Sequence, residues 1–237
     1  MIDHLVIESM SENFILWRCL HSSSLSPDNM DHPEPNPQVD FSVTRRRNIP
    51  LLKNLIKTYG SCAITARENE KVVATLRFYP KALCSFSEAG IGFCLQQDFP
   101  AGPSQDLVEG ELPLMEKLPE RILFAHCMMI VSPKGEPDRY RRQGLATRMA
   151  QEMIRWAQER GWSAIEAIAY EEIPELYAIS GSAGKRFWEK LGFRVTFQDT
   201  EPGFKGELLK KVREQAAAAG IPKEHAANRY KMCLDLD

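Results

Sequence analysis

One apolar run constrains this chain more than any other: Ile122-Leu123-Phe124-Ala125-His126-Cys127-Met128-Met129-Ile130-Val131, closed by Ser132-Pro133. It reads as a buried strand, and soon after it a helical period begins. Ala146, Met149, Ala150, Met153, Ile154 and Ala157 recur on one face, while Gln151, Glu152, Arg155, Gln158, Glu159 and Arg160 cover the other. Gly161 stands where a C-terminal cap belongs. A strand that feeds such a helix belongs in a sheet with the helix packed upon it. The turn that opens the helix is Arg141-Arg142-Gln143-Gly144-Leu145-Ala146-Thr147. Its unpaired N–H groups and the positive end of the helix dipole favour an anion, and phosphate is the natural one.

The turn has no Gly-Lys-Ser/Thr, so it is not a Walker A loop, and it lacks the three glycines of a dinucleotide fingerprint. Further along stands a second junction, Ala183-Gly184-Lys185-Arg186-Phe187-Trp188-Glu189-Lys190-Leu191-Gly192-Phe193. It reads as a short helix capped by Gly192, with a strand starting at Phe193. The first turn fits Arg/Gln-x-x-Gly-x-Gly/Ala, and the second fits aromatic-Glu-Lys-x-Gly-Phe. Found in this order with a strand between them, the two resemble the motifs of the GNAT superfamily of N-acetyltransferases. The resemblance is close over residues 122–197 and holds elsewhere only in outline.

Composition sets the outer bounds. The chain has 237 residues, 43% of them hydrophobic, which suffices for one domain with a full core. A net charge of −2 gives no global attraction to nucleic acid or to anionic membranes. No apolar run is long enough to span a bilayer, and Met1-Ile2-Asp3-His4 lacks a basic region leading into an apolar one, so neither a membrane span nor a signal peptide is expected. Six scattered cysteines without paired short spacings suit reduced thiols, so a cytoplasmic protein is expected. Cys19-Leu20-His21 and His126-Cys127 lack a second ligand pair, and no metal is expected.

Along the chain, a strand is expected over 14–20, and a loop rich in Ser, Pro, Asn and Asp over 22–39. A helix is expected from Asn48-Ile49-Pro50, with Leu51, Leu52, Leu55, Ile56 and Tyr59 on its apolar face and Gly60 at its end. Arg45-Arg46-Arg47 before it reads as solvated. Strands over 63–67 and 72–78 flank the turn Glu68-Asn69-Glu70-Lys71 and make a hairpin. Residues 79–120, dense in proline and glycine, read as an insertion with short strands around 91–95. Another buried strand is expected over 164–170, an extra helix over 205–219, and a half-buried strand where Tyr230, Met232, Leu234 and Leu236 alternate with polar neighbours. The order gives a single α/β domain over 1–237: a mixed sheet flanked by helices.

The resemblance implies more. In the family the two central parallel strands splay apart, and the pantetheine arm of acetyl-CoA lies in the gap; here those strands are 122–131 and 164–170. The pyrophosphate is then expected on the amides of Gln143, Gly144, Leu145, Ala146 and Thr147, with Arg141, Arg142 and Arg148 near its charge. The backbone of Met129, Ile130 and Val131 is expected beside the thioester, one N–H polarising its carbonyl. The implied reaction is transfer of the acetyl group from acetyl-CoA to a primary amine of a small molecule, peptide or protein. Two departures bear on mechanism. Trp188 stands where many members carry a tyrosine acid, and an indole N–H cannot supply a proton. Ser180, Gly181 and Ser182 occupy the zone of a cofactor-binding asparagine. Glu166, Tyr170 and His126 are the leading substitutes for acid–base work, with Tyr177, Glu109 and Glu111 behind them. Each also reads as structural: an ion pair, a packing ring or a solvated loop. A non-catalytic acyl-CoA-binding module and a nucleotide-binding α/β domain stay open, as does a homodimer.

Overall fold

The computed structural model describes residues 2–18, 20, 24–27, 42–84, 111–131 and 139–236. Strands β1 (Val6–Ser9), β2 (Ala63–Glu68), β3 (Lys71–Pro80) and β4 (Ile122–Ile130) form an antiparallel meander. Strand β5 (Ala164–Tyr170) runs parallel to β4. Strand β7 (Asn228–Asp235) lies antiparallel between β5 and β6 (Arg194–Thr200), which completes a seven-stranded sheet of order β1-β2-β3-β4-β5-β7-β6. The helices are α1 (Ser42–Tyr59), α2 (Leu145–Glu159), α3 (Pro174–Ser180), α4 (Lys185–Glu189) and α5 (Gly206–Ala218). This is the mixed α/β sheet with flanking helices that the order of motifs implies.

Helix α2 packs against the β1–β4 half of the sheet. Met149, Ala150, Met153 and Ala157 are buried as their spacing predicts, but Trp156 is buried where Ile154 was expected and is only partly so. The reason is the sheet below: Phe78 of β3 meets the Trp156 ring at 4.9 Å between centroids. The helix ends as predicted, with Gly161 at φ 71° and the Trp162 N–H reaching back to the Ala157 carbonyl at 3.1 Å.

Two expectations near the N-terminus are corrected. Pairing falls on Val6–Ser9, and among the described residues of 14–20 no strand is present: Leu16, Trp17 and Arg18 are buried in succession, without alternation. That stretch is held by Arg77 on the other face of β3, whose Nη2 donates to the carbonyls of Leu16 (2.8 Å) and Arg18 (2.9 Å). Helix α1 begins at Ser42, so Asn48 is no cap; fully buried, it donates from Nδ2 to the Trp17 carbonyl at 2.8 Å. The expected apolar face of α1 is buried throughout.

The hairpin β2–β3 turns at Asn69, in the left-handed region at φ 54°. The extra helix is α5, in the β6–β7 connection and in contact with α3. Helix α3 has no counterpart in the sequence reading, which leaves 171–182 without a helix. Of the 79–120 segment, the described ends carry the 3-10 turns Lys81–Leu83 and Met115–Lys117 with Leu112 and Leu118 buried. The strands expected around 91–95 lie outside the described residues. Among the described residues no helix is long and apolar enough to cross a membrane.

Candidate functional site

The α2 turn has the geometry of an anion cradle. The first intrahelical bond runs from the Arg148 N–H to the Gly144 carbonyl at 3.0 Å, so the N–H groups of Leu145, Ala146 and Thr147 precede the helical ladder. Arg142 and Gly144 both take left-handed backbone angles, at φ 58° and 83°. A non-glycine residue in that region costs on the order of 1–3 kcal/mol, and such strain concentrates at ligand clamps. Leu145 anchors the turn in the core, whereas Arg141, Arg142, Gln143, Gly144, Thr147 and Arg148 are exposed and Ala146 half-buried. The Gln143 side chain donates from Nε2 to the Arg139 carbonyl at 2.6 Å, closing the turn from within. Arg148 points elsewhere: its Nη1 meets Asp3 Oδ1 at 3.2 Å and the Ile2 carbonyl at 3.5 Å.

A β-α-β crossover brings the end of β4 and the start of α2 to the same end of the sheet, and there the central strands part. β4 and β5 pair over Ile122–Ala125 and Ala164–Ala167 and no further. Beyond that point the Met128 N–H donates to the Gly181 carbonyl at 2.9 Å, and Tyr170 forms a parallel bridge with Gly184. Residues 181–184 thus lie between the separated strand ends. The Val131 N–H is bonded to the Val73 carbonyl on the β3 side, at 2.9 Å. Strand alternation puts the Met129 N–H on that side too, and leaves Ile130 as the one of the three expected residues whose N–H faces β5.

The acid–base candidates are dispersed. Glu166 pairs across from Phe124, where β4 and β5 are still joined, and its Oε1 lies 3.1 Å from both Lys81 Nζ and Lys231 Nζ. The Tyr170 hydroxyl donates to Glu201 Oε2 at 3.1 Å; burial, then the Glu201 charge, raises its pKa far above the ordinary phenol range. His126 is the bulged residue of β4, between the Arg77–Cys127 and Phe78–Ala125 pairs, with its ring edge-on to Tyr79 at 5.7 Å. Tyr177 is half-buried in α3, Glu111 is exposed, and Glu109 lies outside the described residues. Trp188 is 3% exposed and packs between Phe187 (5.1 Å) and Phe193 (4.8 Å) as a core ring. Among the described residues no group of three or more His, Cys, Asp or Glu could hold a metal.

Two polar clusters were not legible in advance. Glu201 and Arg229, 4% and 6% exposed, form one with Asp199 and Tyr170 below the end of β5. Glu68 centres the other, at the hairpin turn. Its Oε1 meets His4 Nε2 at 2.8 Å and Arg139 at 3.4 Å, while Oε2 accepts from the Tyr140 hydroxyl at 2.9 Å. Hydrogen bonds from His4 and then Tyr140 hold the Glu68 carboxyl below its ordinary pKa. A carboxylate so depressed stabilises the fold above its unfolded value, and that contribution disappears as pH falls through the folded one. Thermal melts should therefore show the wild-type chain losing more stability than Glu68→Gln between about pH 5 and pH 3. Superimposable pH profiles would show that the Glu68 bonds carry no stability.

No family model matches the sequence, and no curated protein matches it. Solved structures of similar backbone architecture include a GNAT-family acetyltransferase from Streptococcus pneumoniae, 13% identical with a TM-score of 0.44 over 98% of this chain and 99% of that one. The ribosomal-protein-S18-alanine N-acetyltransferase of Escherichia coli is 12% identical, with a TM-score of 0.45 over 98% and 94%. An N-acetyltransferase from Staphylococcus aureus Mu50 is 11% identical, with a TM-score of 0.47 over 98% and 99%. The fold is a mixed seven-stranded sheet, flanked by helices, whose two central parallel strands separate.

Proposed function

We propose that the chain is an N-acetyltransferase that takes acetyl-CoA as donor and a primary amine as acceptor. The observation that carries this reading is the strained, glycine-opened turn of α2 at the end of the sheet where β4 and β5 part. The residues fit the donor. A Cβ built on Gly144 meets nothing within 4 Å, so the turn is open at that point. The amides of Leu145, Ala146 and Thr147 would hold the pyrophosphate, with Arg141 and Arg142 adding charge. The Ile130 N–H, facing β5, is the donor of choice for a group lying along β4. In the reaction the amine nitrogen attacks the thioester carbonyl carbon, the C–S bond breaks, the thiolate leaves with the electron pair, and the proton given up by the nitrogen passes to water. Glu166 and Tyr170 are already bonded to lysines and to Glu201, so this reading gives neither a part in proton transfer.

Trp188 favours a second reading, an acyl-CoA-binding module without turnover, because a packed indole replaces the expected acid. Two measurements separate the readings. Calorimetric titration with acetyl-CoA, CoA and ATP should give micromolar affinity selective for the CoA compounds. Thiol release with a panel of amines should then follow. CoA-selective binding without release under any amine supports the module, and no binding by a folded sample removes both.

A further inference from the structure

The cradle is an exposed turn, yet two of its residues take left-handed angles and something must hold it in that shape. The sequence immediately before it supplies the grip. Tyr140 is buried at 6% exposure, and its hydroxyl reaches the carboxylate of Glu68 on the β2–β3 turn, far away in sequence. Arg139 meets the other oxygen of the same carboxylate, and its carbonyl accepts from Gln143 inside the cradle. The chain from Glu68 to the turn is therefore continuous: carboxylate to Arg139 and Tyr140, Arg139 carbonyl to Gln143, Gln143 to Gly144. His4 binds the same Glu68 oxygen as Arg139, and Asp3 with the Ile2 carbonyl takes Arg148 from the first turn of α2. The turn is gripped on both sides, by Glu68 before it and by the N-terminal segment after it.

We infer that Glu68 is a positioning residue for the donor site, acting through Tyr140 and Arg139 to hold the α2 turn in its anion-binding shape. This rests on the acetyl-CoA reading of the turn. Glu68 touches no ligand itself; its role is to fix the direction in which the free amides point, which decides how well they meet a pyrophosphate. The Tyr140 ring fills the core whether or not its hydroxyl is present, so Tyr140→Phe removes the bond and leaves the packing.

The test is a double-mutant cycle on acetyl-CoA affinity, measured by calorimetry well below the melting temperature. Glu68→Ala and Tyr140→Phe are each expected to weaken binding by about tenfold, as loss of one hydrogen bond to a charged group does. The double variant should be no weaker than Glu68→Ala, because that substitution already removes the Tyr140 bond. Glu68→Gln, which keeps an acceptor for the Tyr140 hydroxyl, should recover most of the affinity. A merely structural role lowers the melting temperature and leaves the affinity of the folded protein unchanged. Wild-type affinity in Tyr140→Phe, or full additivity in the cycle, overturns the inference while leaving the donor site in place. A wild-type protein that does not bind acetyl-CoA overturns the donor reading itself, and the inference falls with it. Should Glu68→Ala not fold, Tyr140→Phe and Glu68→Gln decide the matter alone.

Discussion

Replacing Gly144 with glutamate is expected to abolish acetyl-CoA binding and to leave a folded protein. The two effects separate because of where the glycine sits. At φ 83° any side chain costs about 1–2 kcal/mol, but the added Cβ meets nothing within 4 Å, so no part of the core has to move. A drop in melting temperature of about 3–6 °C is the whole structural consequence. The carboxylate, by contrast, adds a negative charge to the turn whose amides would hold the phosphate. Like charges on one turn repel strongly enough to reduce affinity by about a hundredfold or more. Gly144→Asn is the control, since asparagine tolerates the left-handed region and carries no charge. It should bind within about threefold of wild type, because its strain is small against the repulsion. If Gly144→Glu keeps its affinity, the donor does not bind at this turn.

The largest loss of stability is expected from Glu201→Ala. Glu201 is 4% exposed and accepts from the Tyr170 hydroxyl at 3.1 Å, Arg229 Nη1 at 3.2 Å and the Gly203 N–H at 3.1 Å. Its removal takes that acceptor from the Tyr170 hydroxyl and leaves the Arg229 guanidinium with Asp199 as its remaining carboxylate among the bonds described. Breaking a buried ion pair from one side costs about 3–5 kcal/mol, which for a chain of this size is a fall of about 8–12 °C in melting temperature. Glu201→Gln keeps one acceptor oxygen but replaces the other with an amide donor that faces N–H groups, so it should fall less far than Glu201→Ala yet stay below wild type. A Glu201→Ala protein that melts within about 2 °C of wild type would mean that solvent reaches the cluster.

The parts of the fold legible in the sequence are those in which one segment carries its own signal. The apolar run of β4, the period of α2 with Gly161 behind it, and the alternation of β7 each state an element without help from elsewhere. The α2 turn was legible for the same reason: a helix N-terminus is local physics. What escaped depends on partners distant in sequence. Residues 14–18 carry enough apolar character to pass for a strand, yet their carbonyls are taken by Arg77. Asn48 has the chemistry of a cap and is used instead on Trp17. Glu166 and Tyr170 are conspicuous as a buried acid and a buried phenol in a strand, but nothing nearby in sequence announces Lys81, Lys231 or Glu201 as their partners. Glu68 reads as one more charged residue of a hairpin turn until Tyr140 is seen beside it.

The strand order bears on how the chain folds. Strands β1 to β4 are neighbours in sequence and in space, so that half of the sheet can grow by adding adjacent hairpins. The other half cannot. Strand β7 lies between β5 and β6, and β6 has no pairing partner in the sheet until β7 arrives. The two halves meet along four residue pairs of β4 and β5, a narrow seam. The strand pairings of the C-terminal third are therefore expected to form together and later than the hairpins, since their loop-closure entropy must be met before they repay it. Arg229 is carried in on β7, so the ion-pair cluster beneath Tyr170 is expected to close with those pairings.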